Sequence, residues 1–175
     1  MKVPYKSLLR GLNSSPSIDE ISNTLFQLGH EHEIVNKIFE MEYTPNRGDC
    51  LSINGILREL SIFYKTKELP KIFNKKLDSF DFKLNNQIKD QCSNISFLKI
   101  KIEDIPIKYN GLLKEYFDES DHKKINFFTD ISNYISFETG QPTHCYDSST
   151  IKGDISLEIT KDPIKFKTLL GKEIL

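Results

Sequence analysis

One short polar turn near the end of the chain holds the residues with the clearest capacity for chemistry. Residues 140–147 read GQPTHCYD and bring together an amide (Gln141), an imidazole (His144) and hydroxyl groups. Pro142 fixes its own backbone and prevents a helix from restarting nearby. A rigid turn with these groups can form a binding or catalytic site, and it can equally be an ordinary surface turn.

Cys145 offers a second kind of chemistry, because a thiolate activated by a histidine can act as a nucleophile. His144 is its neighbour in the sequence. Adjacent side chains on an extended segment point to opposite sides, so the pair would need another histidine close by. We therefore expect Cys145 to be a buried, inert cysteine.

A metal is the third chemistry to consider, because residues 30–33 read HEHE. His30 and His32 would share one face of a strand and, with the glutamates, could bind an ion. Zinc sites recruit three or four ligands, and no partner pair is visible in the sequence. We expect an exposed strand start here and no metal.

A charged set surrounds a second turn, TPNRGD, and the helix predicted after it. Such a cluster can be functional, but charges of this kind often form internal ion pairs instead. We favour a structural network that orients the turn. Its expected members are Asn46, Arg47, Asp49, Arg58 and Glu59.

A helix must position the polar turn. Apolar residues spaced three and four apart predict its buried face: Ile131, Tyr134 and Ile135. Thr129 or Asp130 is the expected cap, because a short side-chain oxygen accepts a hydrogen bond from a free amide of the first turn. Gly140 is expected to end the helix in the left-handed conformation.

Capping and breaking signals predict the elements of the first half. Ser17 and Glu20 form a capping-box pattern that opens a helix ending near Gly29. Residues 30–41 are expected to pair as a small sheet. Asp49 is the expected cap of a further helix, in which Gly55 predicts close approach of another backbone.

Strict alternation predicts two strands in the second half, Leu98–Ile102 and Ile155–Ile159. We expect them in one sheet with the helix of residues 130–139 packed on it. A short helix near residues 112–117 and a strand with a hairpin around Gly171 complete the prediction. The fold class is therefore α+β, a small helical domain followed by part of a sheet-and-helix domain.

Composition narrows the function classes. The chain has 175 residues, 38% hydrophobic and 28% charged, with a formal net charge of −1. This balance is typical of a globular protein and gives no support for a strongly basic nucleic-acid binder. Three scattered cysteines and the lack of a long apolar run predict a cytoplasmic protein without a disulfide scaffold, a signal peptide or a membrane span.

Two long stretches carry a resemblance to a known family. Residues 44–60 read TPNRGDCLSINGILREL, and residues 130–147 read DISNYISFETGQPTHCYD. In this order they resemble two signatures of the bacterial phenylalanyl-tRNA synthetase beta subunit, T-P-N-R-x-D-C-L-S-x-x-G-x-x-R-E-L and D-x-T-N-Y…E-x-G-Q-P-x-H-A-F-D. Two long, correctly ordered signatures are far more specific than one short motif. Cys145 and Tyr146 replace the alanine and phenylalanine of the second signature.

The resemblance implies a role in charging tRNA(Phe) with phenylalanine. The implied partners are tRNA(Phe) and the alpha subunit, in a heterotetramer, with no membrane. Mg and ATP are implied for the complete enzyme, and no cofactor is expected to bind this chain. The second signature belongs to the family's editing domain, which removes mischarged tyrosine, so the editing-site candidates are Asn133, Gln141, Pro142 and His144.

The same resemblance predicts the domain organisation. We expect an N-terminal domain at residues 1–76, a linker at 77–92 and an incomplete tRNA-editing-type domain at 93–175. The oligonucleotide-binding barrel that most members insert after the Gly29 position is expected to be absent. Because later family segments complete the editing pocket, we expect Gln141, Pro142 and His144 to line a shallow open groove.

Two alternatives differ in class. The chain could be a non-catalytic module that docks on protein or RNA, or a stand-alone aminoacyl-tRNA deacylase. No adenylate-forming motif is visible, so we expect the isolated chain not to charge tRNA. Whether another segment or chain supplies the missing pocket would discriminate these alternatives.

Overall fold

The computed structural model describes residues 1–67, 81–120, 122–167 and 171–174. Its helices and small sheets confirm the predicted α+β class. Two compact units are present, one made of Met1–Ile72 and Glu103–Tyr146 and the other of Phe73–Ile102 and Asp147–Leu175. The predicted domains, residues 1–76 and 93–175, have boundaries that differ from those of these units and that lie partly outside the described residues. This division stays a prediction.

The first unit begins with two helices, α1 (Tyr5–Gly11) and α2 (Ile18–Gln27). The predicted capping box of α2 is confirmed: the Glu20 amide donates to Ser17 Oγ at 3.2 Å, and the Ser17 amide donates to Glu20 Oε2 at 2.6 Å. Gly29 follows the helix with φ of 81°, so the chain can turn directly into a strand.

A three-stranded antiparallel sheet lies beside these helices. Its strands are β1 (Lys2–Pro4), β2 (Glu31–Val35) and β3 (Ile38–Glu42), in the order β1-β3-β2. Asn36 and Lys37 have positive φ angles and form the tight turn between β2 and β3. The predicted pairing within residues 30–41 is confirmed.

Helix α3 (Ile53–Leu60) follows a 3-10 turn, Pro45–Cys50. Its cap is Ser52, whose Oγ accepts from the Gly55 amide at 3.0 Å, so the prediction that Asp49 caps this helix is wrong. The intervening 3-10 turn moves the helix start three residues along the chain. A Cβ atom on Gly55 would lie 2.2 Å from the Asp49 carbonyl oxygen, which confirms the predicted close backbone approach.

Two further helices complete the first unit, α4 (Gly111–Glu119) and α5 (Phe127–Thr139). Asn126 caps α5, because its Oδ1 accepts from the Thr129 amide at 3.0 Å, so the predicted caps Thr129 and Asp130 are wrong. Gly140 ends α5 with φ of 76°, as predicted. The predicted buried face is only partly covered, and Ile135 remains 36% exposed.

The second unit contains two small sheets. Strand β4 (Leu84–Asn86) pairs in parallel with β5 (Ile155–Leu157), and β6 (Phe166–Lys167) pairs antiparallel with β7 (Glu173–Ile174). Strand β5 and the hairpin around Gly171 confirm two predictions, although Ile155–Ile159 is paired over three residues only. The predicted strand Leu98–Ile102 is wrong. Alternating apolar and polar residues would give a strand one apolar side, but they do not show which strand it pairs with. Ile100 is 66% exposed.

Helix α5 also packs elsewhere than predicted. It lies on α3 in the first unit, and Phe137 contacts the main core. That core consists of Val3, Leu8, Leu12, Ile21, Leu25, Phe39, Met41, Ile53, Ile56, Leu57 and Leu60. Among the described residues, no helix has the length and apolar character needed to cross a bilayer.

Candidate functional site

The predicted charged network forms around the turn before α3. Arg47 donates from Nε to Asp49 Oδ1 at 3.0 Å and from Nη2 to Asp49 Oδ2 at 3.2 Å. Arg47 also lies 3.1 Å from Glu59 Oε2. Arg58 pairs with both Asp49 and Glu59. Four of the five predicted residues therefore meet, whereas Asn46 is exposed and makes no contact in this network.

Electrostatics in this network keep the carboxylates charged. The hydrogen bonds from Arg47 lower the pKa of Asp49 to about 2. Burial opposes ionisation of Glu59, but the bonds and charges of Arg47 and Arg58 outweigh it and lower the pKa of Glu59. Because both cations are already paired, this network has the character of a structural clasp.

The polar turn after α5 has a definite geometry. Ser136 Oγ donates to the Gln141 carbonyl at 3.0 Å, and Ser132 Oγ donates to the Thr143 carbonyl. Cys145 Sγ donates to the Phe128 carbonyl at 3.7 Å. Every second residue after the helix thus contacts a helix residue one turn, or four positions, further back along α5. Residues 141–145, which we call the strap, run back along α5 in extended form.

This geometry separates the strap's side chains into two sets. In an extended segment alternate residues face opposite sides, so Pro142 and His144 lie on the side away from α5. Gln141, Pro142 and His144 are all exposed. Cys145 is exposed as well, so the prediction of a buried cysteine is wrong, because the strap lies on the surface of α5.

Asn133 lies on a different element from the other predicted editing residues. It belongs to α5 and lines an open depression of about 400 Å³ together with Tyr116, Phe137 and His122. Ser136, whose Oγ donates to the Gln141 carbonyl of the strap, lines the same depression. The strap's three candidates are not among the residues that line it, so this depression does not bring all four candidates together.

Asp130 is the buried polar residue that the sequence did not single out for this role. Its side chain is 0% exposed. Oδ2 accepts from the Tyr109 hydroxyl at 2.6 Å, and Oδ1 accepts from the Ile125 amide at 2.9 Å. It ties two preceding loops to the start of α5. The sequence showed only that Asp130 lies near the start of a helix, and from this position we predicted a helix cap.

The histidines of residues 30–33 do not act as a pair. His32 Nε2 lies 2.8 Å from Ser22 Oγ, and its Nδ1 lies 2.9 Å from the His30 carbonyl. His30 Nε2 points elsewhere and lies 3.6 Å from Glu59 Oε2. Both rings are buried, so the prediction of an exposed strand start is wrong for them.

The two stretches that carry the family resemblance pack against each other. Helix α3 contacts α5. A Cβ atom on Gly140 would lie 3.3 Å from Ser52 Cβ, so the glycine that ends α5 lies directly beside the cap of α3. Residues 44–60 and residues 130–145 therefore form one continuous structural region.

Comparison with known proteins identifies relatives for most of the chain. The B3/4 domain family matches residues 96–175. The phenylalanine--tRNA ligase beta subunit of Aquifex aeolicus is 35% identical over 143 residues, covering 78% of this chain and 17% of that protein. The Rickettsia felis beta subunit is 39% identical over 127 residues, covering 69% and 15%.

A third relative extends the similarity along the chain. The phenylalanine--tRNA ligase beta subunit of Wolbachia sp. subsp. Brugia malayi is 27% identical over 175 aligned residues, covering 89% of this chain and 22% of that protein. The chain thus spans between 15% and 22% of the length of these relatives.

Proposed function

Because the chain is related over most of its length to the beta subunit of phenylalanine--tRNA ligase, we propose that it works as part of such a subunit. The two family-like stretches support this proposal most strongly. They are separated by about seventy positions in the sequence and pack side by side through Ser52 and Gly140. If the two stretches serve one function, they must lie next to each other in the fold, as they do here.

On this proposal the chain supports the ATP- and Mg-dependent charging of tRNA(Phe) in the cytoplasm, together with an alpha subunit. The chain itself supplies no part of the adenylate-forming chemistry. Its contribution is a rigid region, held by the clasp of Arg47, Asp49, Arg58 and Glu59, that presents the strap.

The strap is the proposed contribution to editing. Ester hydrolysis requires a positioned water and donors aimed at the developing oxyanion. An amide such as Gln141 and an imidazole such as His144 have suitable chemistry, and both are exposed. An exposed site leaves water competing for every hydrogen bond, so each contact contributes only about 0.5–1.5 kcal/mol. This chain alone is therefore proposed not to hydrolyse tyrosyl-tRNA(Phe).

Affinity purification tests the proposal. The chain is tagged in its own cells, and the purified material is probed for the alpha subunit of phenylalanine--tRNA ligase. We expect the alpha subunit in stoichiometric amount. Recovery of the chain without it, while the alpha subunit is found with another beta chain, would reject the proposal.

A deacylation assay tests the editing part separately. Purified chain is incubated with tyrosyl-tRNA(Phe), with a matched His144→Ala variant. We expect both proteins to leave the spontaneous hydrolysis rate unchanged. Hydrolysis by the chain that is lost in His144→Ala would establish a stand-alone deacylase instead.

A further inference from the structure

Three side chains with different metal-binding atoms converge behind the clasp. They are His30 just before β2, Cys50 at the end of the 3-10 turn, and Glu59 on α3. Their ligand atoms all lie within 4.8 Å of one another, and His30 Nε2 is 3.6 Å from Glu59 Oε2. Imidazole, thiolate and carboxylate are the ligand types that Zn²⁺ takes in proteins.

Burial separates this cluster from a chance group on the surface. Cys50 is 0% exposed and His30 is 4% exposed. His30 Nε2, which points at the cluster, has no hydrogen-bond partner among the described residues, and neither does the hydroxyl of neighbouring Tyr43. Buried polar atoms normally have partners, so an unpartnered imidazole nitrogen aimed at a thiol and a carboxylate indicates a ligand.

Arg47 is the competing group. Its Nη2 lies 2.8 Å from Cys50 Sγ and 3.1 Å from Glu59 Oε2. The same guanidinium also holds Asp49 through two bonds. Arg47 can therefore release Cys50 and Glu59 and still remain paired with Asp49.

We propose that His30, Cys50 and Glu59 form a Zn²⁺ site in which the ion replaces Arg47 as the partner of Cys50 and Glu59. The Cys50 thiol loses its proton to solvent as the Zn–S bond forms, and neutral His30 coordinates through Nε2. Three protein ligands leave one position for water. The ion would link the start of β2, the 3-10 turn and α3.

The sequence did not indicate this site, because the ligands come from three distant positions. His32 is not part of it, since that ring is held by Ser22 and by the His30 carbonyl. The HEHE motif thus contributes a single ligand, and the fold supplies its partners.

Cobalt spectroscopy tests the proposal. Cys92→Ser and Cys145→Ser are introduced first, so that Cys50 is the only thiol. Titration with Co²⁺ should give a thiolate-to-cobalt charge-transfer band that saturates at one ion per chain, and Zn²⁺ should displace it. The band should disappear in Cys50→Ser and in His30→Gln.

Matched variants make the test specific. His32→Gln should retain the band, whereas His30→Gln should not. Arg47→Gln should tighten binding by about tenfold or more, because it removes a positive charge beside the ion, and Arg58→Gln should have a smaller effect. Circular dichroism checks that each variant is folded.

Several results would overturn the proposal. They are the absence of a band in the starting protein, a band that persists in Cys50→Ser or His30→Gln, and an unchanged affinity in Arg47→Gln. A thermal melt gives an independent readout: Zn²⁺ should raise the melting temperature and EDTA should reverse the rise.

Discussion

The turn–helix motif, residues 44–60, and the strap, residues 141–145, resemble the same family but occupy opposite environments. In the turn–helix motif the apolar side chains Ile53, Ile56 and Leu60 are at most 1% exposed, and the charges are paired. In the strap, Gln141, Pro142 and His144 are exposed. Family-like sequence thus marks a structural element in one place and an accessible surface in the other.

A residue of a family-like stretch can therefore be needed for stability or for function, and the two regions differ in which applies. Within the turn–helix motif, replacing a residue disturbs packing or a charge network, so the effect should appear as lost stability. At the exposed strap positions Gln141, Pro142 and His144, replacing a side chain changes mainly what water or a partner molecule can contact. The comparison predicts large stability effects in the first region and functional effects without stability loss in the second.

The largest effect is expected for Gly55→Ala. The added Cβ would lie 2.2 Å from the Asp49 carbonyl oxygen and force the 3-10 turn away from α3. We expect about 3 kcal/mol of destabilisation in urea unfolding. Gly48→Ala is the matched control, because no atom of the described residues lies within 4 Å of its Cβ position. Equal effects of the two substitutions would remove the structural role assigned to the motif.

Asp130→Ala is expected to rank second and tests what holds α5 under the strap. The change leaves the Tyr109 hydroxyl and the Ile125 amide without the acceptor that the fully buried Asp130 carboxylate provides. We expect about 2–3 kcal/mol of destabilisation. Tyr109→Phe removes only one of the two bonds and should cost less. If Tyr109→Phe costs as much as Asp130→Ala, the bond to Ile125 contributes nothing.

Alkaline pH should weaken the same anchor. Burial, together with the hydrogen bond and charge of Asp130, raises the pKa of Tyr109 to about 12 from 10.0. The unfolded chain therefore loses this proton first, and the stabilisation that is complete below pH 10 declines as pH rises towards 12. Tyr109→Phe should make the fall in unfolding free energy across this range shallower. Parallel curves for the two proteins would contradict the assignment.

The smallest stability effect is expected on the strap. His144→Ala removes an exposed ring, so the unfolding free energy should change by less than about 0.5 kcal/mol. Ser132→Ala removes the bonds of the Ser132 hydroxyl to Thr143 and leaves the Thr143 hydroxyl donating to the Ser132 carbonyl. It is the contrasting variant and should cost about 1 kcal/mol. A larger loss from His144→Ala than from Ser132→Ala would show that the ring is structural.

The sequence could predict those features of the fold that depend on residues close together in the chain. The capping box of Ser17 and Glu20 and the left-handed Gly140 depend on neighbours within a few residues. The clasp could also be predicted, because Arg47 and Asp49 lie in one turn and Arg58 and Glu59 lie on the following helix.

Interactions between distant residues could not be predicted. Leu98–Ile102 has the alternation of a strand, but a strand also needs a partner, which alternation does not reveal. Asn126 caps α5, and the Asp130 carboxylate instead accepts hydrogen bonds from Tyr109 and Ile125. His30 meets Cys50 and Glu59 only after β2, the turn and α3 have packed.

Phenylalanine charging by the purified assembly tests the central claim most directly. Material purified through the tagged chain is supplied with ATP, Mg²⁺, phenylalanine and tRNA(Phe). We predict charging by the wild-type assembly and by His144→Ala, and loss of charging with Gly55→Ala, which weakens the supporting region. No charging by the wild-type assembly, with phenylalanine--tRNA ligase activity recovered wholly in fractions that lack this chain, would contradict the account.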